Sequence, residues 1–234
     1  MTTLTVIIPV FNEKNTILEV INKIKAQTYV SKQIIIIDDG STDGTREILL
    51  KNNFDNLYDL ILLTKNSGKG AAIKKSIPFI KGDIVLIQDG DLEYDPNDYK
   101  KLIQPILDLK SKVVYGSRVL HKKRYNVTSS FFYLTVFANH FLTFLSNILN
   151  QQSLTDAHTC YKVFEVDIFR KIILKEDDFS FCPEITTKIA NMRLEIIEVP
   201  INYYGRHYKD GKKIKYIDAF KAIWVLFKYK FLDK

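Results

Sequence analysis

Apolar and amphipathic stretches alternate along the first half of the chain. Five apolar, β-branched runs predict strands at residues 4–10, 33–38, 60–64, 84–89 and 112–117. Between the first two, apolar residues at positions 17, 20, 21 and 24 have the spacing of one helix face, and further helices are predicted from about Thr45 and from Gly70. Continuously apolar strands separated by helices are typical of a parallel sheet covered on both faces. The pattern therefore predicts an α/β fold, a Rossmann-like three-layer sandwich with a mostly parallel central sheet.

Polar, acidic loops follow four of these predicted strands. They are PVFNE after the first, DDGSTDG after the second, NSGKG after the third and DGDLEYD after the fourth. Because ligands of such sheets bind beyond the carboxyl ends of the strands, the loops predict a site at one edge of the sheet. Four ordinary solvated turns would explain the Gly, Asn and Asp content, but not several acids beside a glycine loop that carries a lysine.

The loop after the fourth strand has a dense acidic run, with Asp89, Asp91, Glu93 and Asp95 within seven positions. These carboxylates repel one another at pH 7, so they need a positive partner. Two or three of them form an incomplete site for Mg²⁺ or Mn²⁺, whose remaining positions would go to water and a substrate diphosphate. Gly90 allows a ligand to approach the backbone closely.

The loop NSGKG places glycines and Lys69 where a strand turns into a helix, a geometry that presents backbone N–H groups to an anion. It lacks the GxxxxGK[ST] spacing of a P-loop. A dinucleotide-binding interpretation fits two glycines of GxGxxG, but Ile73 stands in place of the third and the motif lies in the third βα unit.

The composition changes after the fifth predicted strand. Residues 125–150 contain no Asp, Glu, Lys or Arg and mix phenylalanines with Asn, Ser and Thr. The segment predicts an amphipathic helix in a membrane interface or against a partner, which includes a homo-oligomer formed through residues 129–150. The alternative is a core helix that covers the sheet. The sequence contains no uniformly apolar run of 18 or more residues, so no membrane span is predicted.

The 234 residues suffice for one sizeable core, and 34 basic against 27 acidic residues give a formal net charge of +7. Nine Lys or Arg and three Asp lie between Arg206 and Lys234. Such a segment would attract phosphates, an anionic membrane or nucleic acid. A nucleic-acid-binding module is disfavoured, because the charges interleave with aliphatic residues at helical spacing and the first half contains no nucleic-acid motif.

The two cysteines, Cys160 and Cys182, have neither a disulfide framework nor a metal-ligand spacing, so both are expected to be small buried residues. The start MTTLTVIIPV has the pattern of a strand rather than of a signal peptide, so a reducing, cytoplasmic setting is expected.

Six short blocks together carry a family resemblance: VIIPVFNE, IIIIDDGSTDGT, NSGKGAA, IQDGDLEYDP, VVYGSR and LTDAHTCYK. Their order and spacing resemble those of family 2 glycosyltransferases, most closely the dolichyl-phosphate mannose synthase-like branch, from Leu4 to about Lys215. The resemblance implies a GT-A fold, a nucleotide-sugar donor, a divalent metal, and a lipid acceptor at the cytoplasmic face of a membrane. The division expected is a GT-A domain over 1–212 and a basic amphipathic tail over 213–234.

The resemblance also implies roles for individual residues. The base and ribose would be held by Pro9, Phe11, Glu13, Ile37 and Asp39. Asp89, Gly90 and Asp91 would contact the nucleotide, and the metal ligands would come from Asp89, Asp91 and Glu93. Arg118 would face the diphosphate, and the phosphate-binding lid would contribute Arg206, Lys212 and Lys213.

Two further residues, Asp156 and Glu184, have two interpretations each, and His158 is a weaker candidate. Asp156 is either a base or acceptor-orienting group, as the family pattern implies, or a helix N-cap. His158 is expected to be structural, because a lone histidine beside an aromatic segment usually is. Glu184 is either a first-turn helix charge or a group that faces the acceptor.

The sequence as a whole predicts an inverting glycosyltransferase whose acceptor is a polyprenyl phosphate. One alternative is a glycolipid synthase that uses the hydroxyl of diacylglycerol. Another is a non-catalytic, glycosyltransferase-like scaffold, which would be expected to lose the acids that this chain retains.

Overall fold

The structure is a computed structural model that describes residues 2–52, 57–120, 130–205 and 216–233. The strands are β1 Thr3–Val10, β2 Ser31–Asp38, β3 Asp59–Leu62, β4 Ile84–Ile87, β5 Val113–Ser117, β6 Lys162–Glu165 and β7 Ile196–Pro200. The α-helices are α1 Ile17–Lys25, α2 Thr45–Asn52, α3 Lys69–Ser76, α4 Tyr99–Leu107, α5 Ser130–Asn150, α6 Val166–Lys171, α7 Phe181–Asn191 and α8 Tyr216–Phe227.

The described strands form one seven-stranded sheet in the order β3-β2-β1-β4-β6-β5-β7. Strands β1 to β4 pair in parallel with one another, and β5 pairs in parallel with β7. Only β6 runs in the opposite direction, antiparallel to both β4 and β5. The predicted α/β fold with a mostly parallel sheet is therefore confirmed.

The core follows the apolar pattern of the sequence. Residues Ile34 to Ile37 of β2 and all four residues of β4 are buried, as expected for strands covered on both faces. Helix α1 buries Ile17, Val20, Ile21 and Ile24, the four positions that predicted it. Helix α3 packs on β1 and β2, and α4 packs on β5, β6 and β7.

The direction of β6 determines which segments lie at the carboxyl edge of the sheet, where the parallel strands end. The parallel strands all end at this edge, so the loops after β1, β2, β3, β4, β5 and β7 meet there. Because β6 is antiparallel, it begins where its neighbours end. The segment 154–161 that leads into β6 is thereby brought to the same edge.

Helices α5, α7 and α8 pack against one another. Helix α8 continues into a π-helical turn, Lys228–Leu232, in which Tyr229 is fully buried, so the C-terminal segment packs onto the body of the protein. The predicted boundary at 212/213 lies outside the described residues and stays a prediction. In the described ranges, no helix combines the length and apolarity needed to cross a bilayer.

Candidate functional site

A cavity of about 470 Å³ opens at the carboxyl edge of the sheet. Each of the four loops predicted to form a site contributes to it, and so do residues that follow β5, precede β6 or follow β7. The lining includes Pro9, Phe11, Glu13, Asp39, Lys69, Asp89, Gly90, Asp91, Glu93, Tyr94, Arg118, His158, Cys160, Cys182, Asp178, Phe179 and Tyr203.

Four of the five residues expected to hold the base and ribose line this cavity: Pro9, Phe11, Glu13 and Asp39. Ile37 does not, and here the expectation needs correction. Its side chain is fully buried at the next-to-last position of β2, between Pro9 of β1 and Ile61 of β3, so it contributes to the core and not to the cavity wall.

The glycine loop before α3 binds an anion that belongs to the protein itself. The carboxylate of Asp39 accepts hydrogen bonds from the backbone N–H groups of Ser67 and Gly68, both at 2.8 Å. Gly68 has a φ of +100°, and a Cβ there would lie 2.5 Å from the carbonyl oxygen of Asp177. The expected phosphate cradle is thus filled by Asp39, and the glycine lets the segment around Asp177 approach.

Lys69, from the same loop, points into the cavity and forms an ion pair with Asp89. Its Nζ also lies 3.2 Å from the Sγ of Cys160. Burial alone would lower the pKa of Lys69, but the neighbouring Asp89 carboxylate outweighs burial and raises it above its ordinary value. The positive partner of Asp89 in this structure is therefore a lysine.

Asp91 and Glu93 both line the cavity, and Asp91 is almost fully buried. The Asp91 carboxylate accepts a hydrogen bond from the Glu93 N–H at 3.1 Å, and Glu93 Oε2 accepts one from the Tyr203 hydroxyl at 2.9 Å. Within the described ranges, no three carboxylate, imidazole or thiol groups converge as a complete metal site. The carboxylate oxygens of Asp91 and Glu93 are of the type that Mg²⁺ or Mn²⁺ binds, whereas Asp89 is paired with Lys69. The metal site formed by Asp89, Asp91 and Glu93 stays a prediction.

Arg118 and Asp156 form a buried, bidentate ion pair. Arg118 Nε donates to Asp156 Oδ2 at 2.7 Å, its second guanidinium nitrogen donates to Oδ1 at 2.8 Å, and its backbone N–H donates to Oδ2 at 3.1 Å. The backbone N–H of Asp156 in turn donates to Glu198 of β7. Arg118 lines the cavity and also lies over the ring of Tyr203, whereas Asp156 is not part of the lining.

This geometry excludes one of the two interpretations of Asp156. No helix begins at this residue, so the N-cap interpretation is wrong. Both carboxylate oxygens face Arg118, so the residue fixes the guanidinium at the cavity wall. Burial opposes the charge of Arg118, but the Asp156 carboxylate outweighs it and keeps the pKa of Arg118 above its ordinary value.

His158 was expected to be structural, but it lines the cavity. Its Nε2 is buried and has no hydrogen-bond partner in the part of the chain that the structure describes. Burial, with a smaller contribution from the charge of Lys162, lowers the pKa of His158 to about 4. The imidazole is therefore neutral at pH 7.

Glu184 lies in the first turn of α7, fully buried and away from the cavity lining. Its carboxylate accepts hydrogen bonds from the backbone N–H groups of Lys175 and Glu176 and pairs with Lys188. This supports the interpretation of Glu184 as a first-turn charge. Here the carboxylate also holds the loop at 175–177, which packs against the glycine turn at Gly68. Cys160 and Cys182 are buried free thiols, as predicted.

Sequence reasoning missed three residues of the site: Tyr203, which donates to Glu93, Glu198, which accepts from the Asp156 N–H, and Tyr94, which lines the cavity. A signal was present in the tyrosines of LEYDP and INYYG, but the two segments meet only in the tertiary structure, through the pairing of Tyr94 with Tyr203 and the hydrogen bond from Tyr203 to Glu93. Among the described residues, six carboxylates and two cationic side chains line the cavity, and this excess of acidic groups favours a cation there. Arg206, Lys212 and Lys213, the predicted lid, lie outside the described residues.

Comparison with known proteins shows what this chain is similar to. The model of glycosyl transferase family 2 matches residues 5–173. The chain is 30% identical to the dolichyl-phosphate beta-glucosyltransferase of Saccharomyces cerevisiae, over 93% of this chain and 71% of that protein. It is 27% identical to the UDP-N-acetylglucosamine–dolichyl-phosphate N-acetylglucosaminyltransferase of Methanococcus voltae, over 96% of this chain and 94% of that protein.

Among solved structures, glucosyl-3-phosphoglycerate synthase from Mycobacterium tuberculosis in complex with UDP shares the fold. The TM-score is 0.73 at 18% identity, over 98% of this chain and 80% of that chain. This likeness confirms the predicted fold of the GT-A type.

Proposed function

Because the chain belongs to glycosyl transferase family 2, we propose that it is an inverting, metal-dependent enzyme that transfers a sugar from a UDP- or GDP-sugar to a polyprenyl phosphate. The relatives from yeast and Methanococcus voltae act, by their names, on dolichyl phosphate, and their alignments cover almost this whole chain. The acceptor would be a lipid of the same chemical class, such as dolichyl or undecaprenyl phosphate.

The donor would occupy the cavity at the sheet edge. Phe11, Glu13 and Asp39 would contact its nucleoside, and Arg118 would face its diphosphate. When the bond between the sugar and the diphosphate breaks, negative charge develops on the leaving group. Since Asp156 already fixes Arg118, the guanidinium would stabilise that charge without reorganising.

A bound Mg²⁺ or Mn²⁺ would neutralise further charge on the diphosphate. Asp91 and Glu93 would hold it, because both line the cavity and their oxygens suit a hard cation. The structurally similar synthase from Mycobacterium tuberculosis has been solved with Mn²⁺ or Mg²⁺ together with UDP, which supports the use of a divalent metal.

The position of Asp156 is the observation that favours a phosphate acceptor over the hydroxyl of diacylglycerol. A hydroxyl must lose a proton as it attacks, so it needs a positioned base. The carboxylate of Asp156 is instead bonded to Arg118 through both oxygens. A polyprenyl phosphate is already an anionic nucleophile and needs cations to position it, and its oxygen would attack the sugar on the face opposite the diphosphate, which inverts the anomeric centre.

We place this reaction at the cytoplasmic face of a membrane, with the protein peripherally attached. A polyprenyl phosphate remains in the bilayer, so the enzyme must approach the membrane surface. The basic segment from Arg206 to Lys234 would favour an anionic surface.

The experiment is a transfer assay with purified protein and UDP- or GDP-sugars, with and without Mn²⁺. Two acceptors are compared: diacylglycerol, and a water-soluble prenyl phosphate with a short chain. We expect metal-stimulated transfer of one sugar to the prenyl phosphate, and none by an Asp91→Asn control. Transfer to diacylglycerol alone would overturn the phosphate acceptor. Donor binding without transfer to either acceptor would favour the non-catalytic scaffold.

A further inference from the structure

Helices α5 and α8 each carry an exposed row of large apolar side chains. On α5 the row is Phe137, Phe141, Phe144 and Ile148. On α8 and the turn that continues it, the row is Phe220, Trp224, Phe227 and Phe231. The spacing within each row is four, three and four residues, so each row follows one face of its helix.

These rows are not the faces by which the helices pack on the protein. Helix α5 buries Val136 and Leu142, and the C-terminal segment buries Val225, Leu226 and Tyr229. Each helix therefore has an apolar face turned inward and another turned to solvent, where Phe137 is 67% exposed and Trp224 is 59% exposed. Proteins that stay in water rarely leave large contiguous apolar patches exposed, so the two rows indicate a partner.

The two helices contact each other, and α8 reaches the rim of the cavity. Lys221 of α8 donates to Asp178 at 2.7 Å, and Asp178 lines the cavity. Helix α8, which carries one of the two rows, therefore lies next to the site proposed to hold the donor.

Charge indicates which partner covers the rows. Segment 121–129, which precedes α5, contains two Lys, one Arg and no acid, and segment 206–215, which precedes α8, contains five basic residues and one Asp. Basic segments beside exposed aromatic side chains complement a surface with an apolar interior and anionic head groups. A second copy of this chain carries the same net charge of +7 and so complements it less well than an anionic bilayer does.

We propose that the two rows together form a membrane-docking platform, consisting of the eight residues named above, that inserts into the head-group region of an anionic bilayer. This inference rests on the proposed function, since it supplies the means by which a lipid acceptor reaches the cavity. The platform holds the cavity rim at the membrane surface.

The single tryptophan of the chain, Trp224, makes the proposal measurable in the full-length protein. Its fluorescence is recorded on titration with vesicles of phosphatidylcholine, alone or mixed with phosphatidylglycerol. We expect a blue shift and saturable binding with the anionic vesicles, weakened by high salt. The double variant Phe137→Ser/Phe220→Ser should bind at least about tenfold more weakly, a loss of roughly 1.4 kcal/mol.

Phe79→Ser is the matched control, because Phe79 is also an exposed phenylalanine but lies before β4, at the opposite edge of the sheet. It should bind vesicles like the wild type. Unchanged vesicle binding by the double variant would overturn the platform. A second outcome would also overturn it. In that outcome, light scattering shows a wild-type dimer that dissociates in the double variant, and neither vesicle type shifts the fluorescence. The rows would then bind a second copy of the chain.

Transfer to the water-soluble prenyl phosphate separates this inference from the proposed function. If the platform is right, the double variant keeps wild-type transfer to that acceptor and loses transfer to a long-chain acceptor in vesicles. Absence of transfer to the soluble acceptor by the wild type would refute the proposed function but leave the vesicle measurements to decide the platform.

Discussion

The substitution Asp156→Asn tests whether this carboxylate is a positioning group or a base. In the structure it accepts three hydrogen bonds from Arg118, and the two side chains are 3% and 8% exposed. Asparagine keeps the shape and one acceptor oxygen but leaves the guanidinium without a counter-charge. Removing one partner of a buried ion pair costs about 3–5 kcal/mol. Since asparagine retains part of the bonding, we expect a loss near the lower value.

A loss of about 3 kcal/mol in a chain of this size corresponds to a fall in Tm of roughly 6 to 12 °C. The measurement is thermal and urea unfolding of both proteins, with transfer to the soluble prenyl phosphate measured in parallel. We expect reduced transfer, because Arg118 is no longer fixed, and no new ionisation in the pH profile. The control is Glu19→Gln, which removes an exposed pair with Lys23 and should cost less than about 1 kcal/mol.

Two outcomes would refute this reasoning. A Tm for Asp156→Asn within about 2 °C of the wild type would mean that the pair contributes little to the fold. A normal Tm together with a 10²- to 10⁴-fold loss of transfer would instead identify Asp156 as a general base. The double variant Arg118→Met/Asp156→Asn provides a further check, because it removes both charges and should recover part of the stability.

The cavity gives three further predictions. Asp91→Asn should abolish metal-stimulated transfer without lowering the Tm, because it relieves repulsion in an acidic cavity; retention of most activity would contradict its role. Lys69→Met should cost roughly 1–3 kcal/mol in urea unfolding, since it leaves the partly buried Asp89 without its lysine, and Lys69→Met/Asp89→Asn should recover part of that loss; equal stability of the single variant and wild type would contradict the pair. The pKa of His158 is about 4 in the folded protein, below its ordinary value near 6.5, so the unfolded chain binds the extra proton between these values and the stability should fall as the pH drops from about 6.5 to 4. His158→Gln should flatten that part of the curve of unfolding free energy against pH, and an unchanged slope would show that the histidine titrates normally.

Much of the first half of the fold could be predicted from the sequence alone. The apolar positions of α1 and the continuous apolar runs of β2 and β4 are local patterns, and burial in the structure follows them residue by residue. The loops after the first four strands could be placed at one edge because parallel strands have a common direction. For the same reason most of the cavity lining was recognised in advance.

The second half was less predictable. Strand β6 has only four residues, and nothing in KVFE specifies that it runs antiparallel between β4 and β5. That direction is what brings His158 and Cys160 to the cavity. The role of Asp156 depended on the same event, because its partner Arg118 is 38 residues away in the chain.

The sequence also left open whether residues 130–150 form a core helix or an interfacial one. The structure combines elements of both, with one face of α5 buried and a second apolar face exposed beside α8. The physical reason is the distance along the chain over which each kind of information acts. Hydrophobic periodicity records whether a side chain is shielded from water, and each strand or helix expresses it locally. The identity of the group that shields it, whether a lysine, an arginine, another helix or a lipid, depends on contacts between segments far apart in the chain, which only the tertiary structure decides.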